Sequence, residues 1–192
     1  MALSPLSNRY RYVAEELENV FSDKQYFIAR FRIELAYLSI LLKKKEYTSE
    51  LEILEPFFNH FLSNNPKTIE HEDEYNLLYD EFCLLDKKTQ HDVKALEYLI
   101  QSKIIALLQQ PIHTQASIQA PSSVPIKNLV HCGLTSQDVN SLGFTWMLSN
   151  TIKSITREWE SFSTAVKTFI RKTDINGMGY THGQPAIPVN IG

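Results

Sequence analysis

Between Asp138 and Lys172 the chain runs for 35 residues in an unbroken helical pattern, with no proline and a single glycine, Gly143. Ile152, Ile155, Trp159, Phe162, Val166 and Phe169 recur at steps of three and four, which puts them on one helix face. At 1.5 Å per residue such a helix would be roughly 50 Å long. A helix of that length with a heptad-like seam belongs to a long bundle. No stretch of matching length precedes it, and none follows before Gly192. The expected bundle must therefore draw on other chains or on further sequence.

The remainder also reads as helix. Glycine is rare, six in 192 residues, and none precedes Gly133, so the first two-thirds lack the residue that strand-rich folds use in tight turns. Ile28, Phe31, Leu35, Leu38 and Leu42 lie on one helix face; Ser22 with Gln25 forms a capping box at its start, and Lys43 to Lys45 suit its negative end. Pro56 and Pro66 are expected to break the next stretch, leaving a short helix from about Pro56 to Leu62. Further helices are expected over Thr68–Leu85 and His91–Leu108, the latter with Val93, Leu96, Ile100, Ile104 and Leu107 on one side. Gln109–Pro125 holds three of the eight prolines and reads as a loop between two units. The expectation is an all-α protein: a small N-terminal helical domain over 1–125, then the first part of a long central helical bundle over 126–192.

Composition narrows the function. Hydrophobic residues make up 43% and charged residues 21%, as in an ordinary globular protein. A formal charge of -3 argues against a broad basic surface for nucleic acid while leaving room for a local anion pocket. Cys83 and Cys132 have no metal or redox spacing around them, which favours a reduced, cytoplasmic setting. Met1–Tyr12 has no apolar core and carries Arg9 and Arg11, unlike a signal peptide. The most apolar run, Leu35–Leu42, is eight residues long, against the roughly 20 that a membrane span needs. A soluble protein without membrane contact is expected.

Four polar clusters stand out. Ser4-Pro5-Leu6-Ser7-Asn8-Arg9-Tyr10 ends in a guanidinium fork and a phenol, both suited to phosphate, though a frayed terminus with a surface arginine would look the same. In Thr89-Gln90-His91-Asp92-Val93-Lys94, Thr89 and Asp92 fit a helix cap; His91 is left at the positive helix end, where anions are favoured. In His131-Cys132-Gly133-Leu134-Thr135-Ser136-Gln137-Asp138, Thr135 to Asp138 matches a capping box. Its paired hydroxyls and free N–H groups can also cradle a carboxylate. Cys132 has no base beside it in sequence, so a nucleophilic role is disfavoured. Lastly, in Gly177-Met178-Gly179-Tyr180-Thr181-His182-Gly183-Gln184-Pro185-Ala186, the histidine sits on shaped backbone, which suits a proton-transfer group. No second His or Cys stands at ligand spacing, so no metal is expected.

In this order the clusters resemble the N-terminal part of the adenylosuccinate lyases, of the fumarase/aspartase superfamily. The resemblance rests on Ser-Pro-Leu…Arg-Tyr, His-Asp-Val-Lys-Ala-x-Glu-Tyr (His91–Tyr98), His-x-Gly-x-Thr-Ser-x-Asp (His131–Asp138) and Thr-His-Gly-Gln-Pro-Ala (Thr181–Ala186), and it spans residues 4–192. It implies an L-aspartase-like helical fold and elimination of fumarate from adenylosuccinate to leave AMP, with the parallel cleavage of SAICAR to AICAR in purine biosynthesis. Carried over by position, Arg9 and Tyr10 contact the nucleotide phosphate region. Gln90, His91 and Asp92 bind substrate at a helix start, and Thr135 and Ser136 hold the succinyl carboxylate. His182 protonates the leaving purine nitrogen, with His131 and Gln184 in support. The resemblance further implies no cofactor, and a homotetramer with active sites shared between subunits.

The chain departs from the family pattern at Ser7-Asn8, where Asp-Gly is usual, at Gln90 for Asn, and at Tyr180 for Arg before Thr-His. The family's catalytic serine lies on a later mobile loop, and no such segment occurs before Gly192. Residues 1–192 alone are therefore expected to lack the general base and to be inactive. Two other readings stand beside this one: another superfamily member, such as an argininosuccinate lyase or a cycloisomerase sharing Thr-His-Gly-Gln, or a non-catalytic helical assembly module.

Overall fold

In a computed structural model, residues 11–63, 69–109, 126–173, 176–178 and 188–190 are described. The Gln109–Pro125 loop falls almost wholly outside them, as do Arg9, Tyr10, His182 and Gln184. The chain is helical as expected: α1 (Arg11–Glu18), α2 (Asp23–Lys44), α3 (Thr48–Leu62), α4 (Ile69–Thr89), α5 (Asp92–Leu108) and α6 (Ser136–Lys172). One small addition is an antiparallel pair, β1 (Asn176–Met178) with β2 (Pro188–Asn190), registering Gly177 against Val189. These strands bracket the Thr181–Ala186 motif in sequence.

Contacts divide the chain into two compact units, Glu18–Leu148 and Met1–Leu17 with Ser149–Gly192. This cut differs from the compositional one at 125/126, because contacts follow packing whereas composition follows the proline-rich loop.

In the first unit α2 is the axis. Phe27, Phe31, Leu35, Leu38 and Leu42 are fully buried, and α3, α4 and α5 all pack on it. Leu54, Phe58 and Phe61 of α3, Tyr75, Leu78 and Phe82 of α4, and Leu96, Leu99, Ile100 and Ile104 of α5 complete the core. Edge-on rings at Phe31–Phe61 (5.3 Å) and Phe61–Tyr75 (5.4 Å) lock it, the arrangement that the ring quadrupoles favour. Ser22 caps α2, its Oγ accepting from the Gln25 N–H at 3.4 Å, and Lys43 and Lys44 close the last turn.

Two helix bounds correct the sequence reading. Pro56 does not begin a helix; it lies inside α3, which starts at Thr48. Proline there removes one backbone hydrogen bond, the one to Glu52. Pro56 and Glu52 are both exposed, so water can take the freed carbonyl, while burial of Leu54, Phe58 and Phe61 holds the helix together. α4 runs to Thr89, past Leu85, because Phe82 anchors it on the core and Lys87 and Lys88 favour its C-terminal end.

In the second unit the later part of α6 presents Ile152, Ile155, Trp159, Phe162, Val166 and Phe169, all exposed. There Arg157 Nη2 meets the Glu16 carboxylate of α1 at 2.8 Å.

Candidate active site

α4 ends and α5 begins around three residues of the second motif. Gln90 takes a left-handed backbone, φ 52°, the conformation that glycine usually supplies after a helix. Its N–H bonds the Asp86 carbonyl at 2.8 Å, and its side-chain amide donates to the Lys87 carbonyl at 2.9 Å. Gln90 thus closes α4 through its amide nitrogen, while its amide oxygen has no partner among the described residues. His91, rather than Thr89 or Asp92, is the N-cap of α5: its Nδ1 accepts from the Lys94 N–H at 3.2 Å. That fixes the ring proton on Nε2, so His91 offers a donor from an exposed ring. Thr89 Oγ1 braces the turn through both the N–H and the carbonyl of His91.

Asp92 opens α5. One carboxylate oxygen accepts from the Val93 N–H at 2.8 Å, and the other lies 2.5 Å from Arg30 Nη1. Partial burial pushes the Asp92 carboxyl up, but the Arg30 hydrogen bond and charge outweigh this and hold it below the usual carboxylate range. Arg30 is itself buried on α2, with its guanidinium 4.0 Å above the Tyr26 ring centroid. The same Nη1 donates to Asn140 Oδ1, on the first turns of α6, at 3.1 Å. One nitrogen therefore ties the start of α5 to the start of α6.

The third motif is pinned to the same helix. Ile126 and Val130 are buried and anchor the segment that leads into it. His131 has a left-handed backbone, φ 60°, and Gly133 follows at φ 80°. Glu34, one turn beyond Arg30 on α2, places Oε1 2.5 Å from His131 Nδ1. Burial pushes the Glu34 carboxyl above its usual range, against the pull of His131 and with a further push from Glu97. Tyr37 donates its hydroxyl to the Cys132 carbonyl at 2.7 Å.

At the mouth of α6, Asp138 accepts from both the N–H (2.8 Å) and the hydroxyl (2.9 Å) of Thr135, and these bonds hold its carboxyl below the usual range. The capping box forms with the hydroxyl donating to Asp138 rather than accepting. Ser136 Oγ has no partner among the described residues, so of the two hydroxyls it is the one ready to meet a ligand.

The structure thus gathers Gln90, His91 and Asp92 with His131, Thr135 and Ser136 around α2. Sequence reasoning missed the residues that do the gathering: Arg30, Glu34, Tyr37 and Asn140. The apolar spacing of α2 gave no signal for Glu34, since Leu35 already fills the stripe between Phe31 and Leu38. Among the described residues no group of three or more His, Cys, Asp or Glu could hold a metal ion.

A family model described as Lyase matches residues 9–192, and the chain belongs to this lyase family. Its similarity to curated proteins is more particular. It is 31% identical to the adenylosuccinate lyase of Buchnera aphidicola subsp. Baizongia pistaciae, over 100% of this chain and 37% of that protein. It is 28% identical to the adenylosuccinate lyase of Haemophilus influenzae and 24% identical to that of Escherichia coli, over 100% of this chain and 38% of each relative. The chain thus spans little more than a third of the length of these relatives.

Proposed function

We propose that this chain works in a cytoplasmic, fumarate-releasing lyase that cleaves adenylosuccinate to AMP, and SAICAR to AICAR, in purine biosynthesis. The observation that carries the reading is the Arg30 bridge. It holds the His91–Asp92 helix start and the Thr135–Ser136 helix start together, so one small molecule with anionic groups could meet both. The named relatives, aligned over the whole chain, point to the same substrate. Among the described residues no helix is long and apolar enough to cross a membrane, which accords with a soluble enzyme.

The chemistry asks for three things. A base removes a proton from the carbon beside a succinyl carboxylate; the base is a serine that the resemblance places beyond residue 192. The carboxylate must be held while the carbanion forms, a task for Ser136, the α6 N–H groups, and Thr135 once it exchanges Asp138 for the ligand. The C–N bond then breaks, and His182 delivers a proton to the departing purine nitrogen, with Gln184 in support. Arg9 and Tyr10 take the phosphate region, Gln90, His91 and Asp92 the nucleotide side. The complete protein is read as a homotetramer, in which the Thr181–Ala186 segment of one copy joins the Thr135–Ser136 pair of another.

The test is His182→Ala in the complete protein. Turnover should fall roughly 10²–10⁴-fold with little change in substrate affinity, as expected for a positioned acid. Unchanged turnover would mean that the leaving nitrogen takes its proton elsewhere.

A further inference from the structure

Glu34 is a carboxyl buried among the apolar side chains of α2. Its side chain is 1% exposed, Oε1 meets His131 Nδ1, and Oε2 is buried without a hydrogen-bond partner among the described residues. Burying a carboxylate is costly, and an apolar residue of similar volume is often no less stable in such a place. What Glu34 achieves is control of one ring. The His131 backbone is set in the left-handed region, and the Tyr37 bond to Cys132 holds the loop from the same helix face. Backbone and imidazole are thereby both referred to α2.

We propose that Glu34 is the positioning residue for His131: its carboxylate accepts the Nδ1 proton, fixing the ring so that Nε2 is a hydrogen-bond acceptor for the bound substrate. An ionised carboxylate offers only lone pairs, so in its contact with Nδ1 the hydrogen lies on the nitrogen. Nε2 has no partner among the described residues. His91 is set the opposite way, with Nδ1 accepting and Nε2 donating. The two motifs then bring histidines of complementary polarity, a donor at His91 and an acceptor at His131. This rests on the lyase reading for what Nε2 meets, and on the geometry alone for where the proton lies.

Solid-state ¹⁵N NMR of the complete protein, labelled at histidine and assigned with His131→Asn, reads the proton directly at about pH 8.5, where imidazoles are ordinarily neutral. The expected spectrum has His131 protonated on Nδ1 and bare on Nε2. In Glu34→Gln, whose amide can pair with either form, Nε2–H should appear as well. A wild-type ring carrying a proton on Nε2, with or without one on Nδ1, overturns the proposal, as does a spectrum unmoved by Glu34→Gln. In the same variant kcat/KM for adenylosuccinate should fall about 10–100-fold, the scale seen when a partner that orients a functional histidine is lost. If kcat and KM are both unmoved, bound substrate does not use the tautomer and the proposal fails. A complete protein that cleaves no adenylosuccinate would refute the lyase reading instead, and the spectra would still decide the tautomer.

Discussion

At the scale of single residues, the site is built by side chains whose environments conflict with their chemistry. Glu34 shows this most clearly. Its carboxyl ordinarily ionises near 4.5 and burial raises that value in the folded chain, so the folded state holds the proton more tightly than the unfolded state does. Its favourable contribution is complete below about pH 4.5 and is lost as pH rises through the raised folded value. Glu34→Gln does not titrate there, so in denaturant titrations its stability relative to wild type should grow as pH rises from about 4.5 through the raised folded value. A flat or falling difference would contradict the assignment. A variant that gains stability while losing rate marks a group kept for function. Gly143 makes the reverse case. A Cβ there would lie 2.8 Å from Arg30 Cγ and 3.2 Å from Tyr26 Cε2, so α6 reaches α2 only because this residue has no side chain. Gly143→Ala should cost about 1–3 kcal/mol despite alanine's better helix propensity, read from the denaturation midpoint. A variant as stable as wild type would show that the contact has slack. Neither role was legible in the sequence: burial of Glu34 and the α6–α2 approach depend on partners 97 and 113 positions away in the chain.

At the scale of elements the sequence was far more open. Apolar spacing foretold α2, α5 and α6, and the Ser22–Gln25 cap formed as its residue types require. Pro56 misled because the rule against proline in a helix weighs one lost hydrogen bond and cannot weigh three buried side chains one face over. The caps at His91 and Thr135 were foreseen in place but not in detail, since several nearby groups could accept or donate. On α6 the stripe at Trp159 and Phe162 stays 67% and 60% exposed, an apolar face of the kind that marks an interaction surface. The tetramer reading assigns that stripe to subunit packing. Sedimentation of the complete protein should show a tetramer, and Trp159→Glu with Phe162→Glu should shift it toward smaller species. A monomeric wild type, or a double variant that stays tetrameric, would rule the stripe out as the assembly surface.

For the molecule as a whole, the order of four motifs along the chain carried the functional reading, while the structure explains how two of them come together. Arg9, Tyr10, His182 and Gln184 fall outside the described residues, so the acid and phosphate ends of the site rest on the resemblance and on the named relatives. The geometry in hand is two helix starts held by one arginine nitrogen, with the His91 and His131 rings each fixed through Nδ1. Fumarate release by the complete protein, followed with adenylosuccinate and with argininosuccinate as alternative substrates, tests the central claim most directly. The account predicts steady release from adenylosuccinate and none above background from argininosuccinate; release from argininosuccinate alone, or from neither, would contradict it.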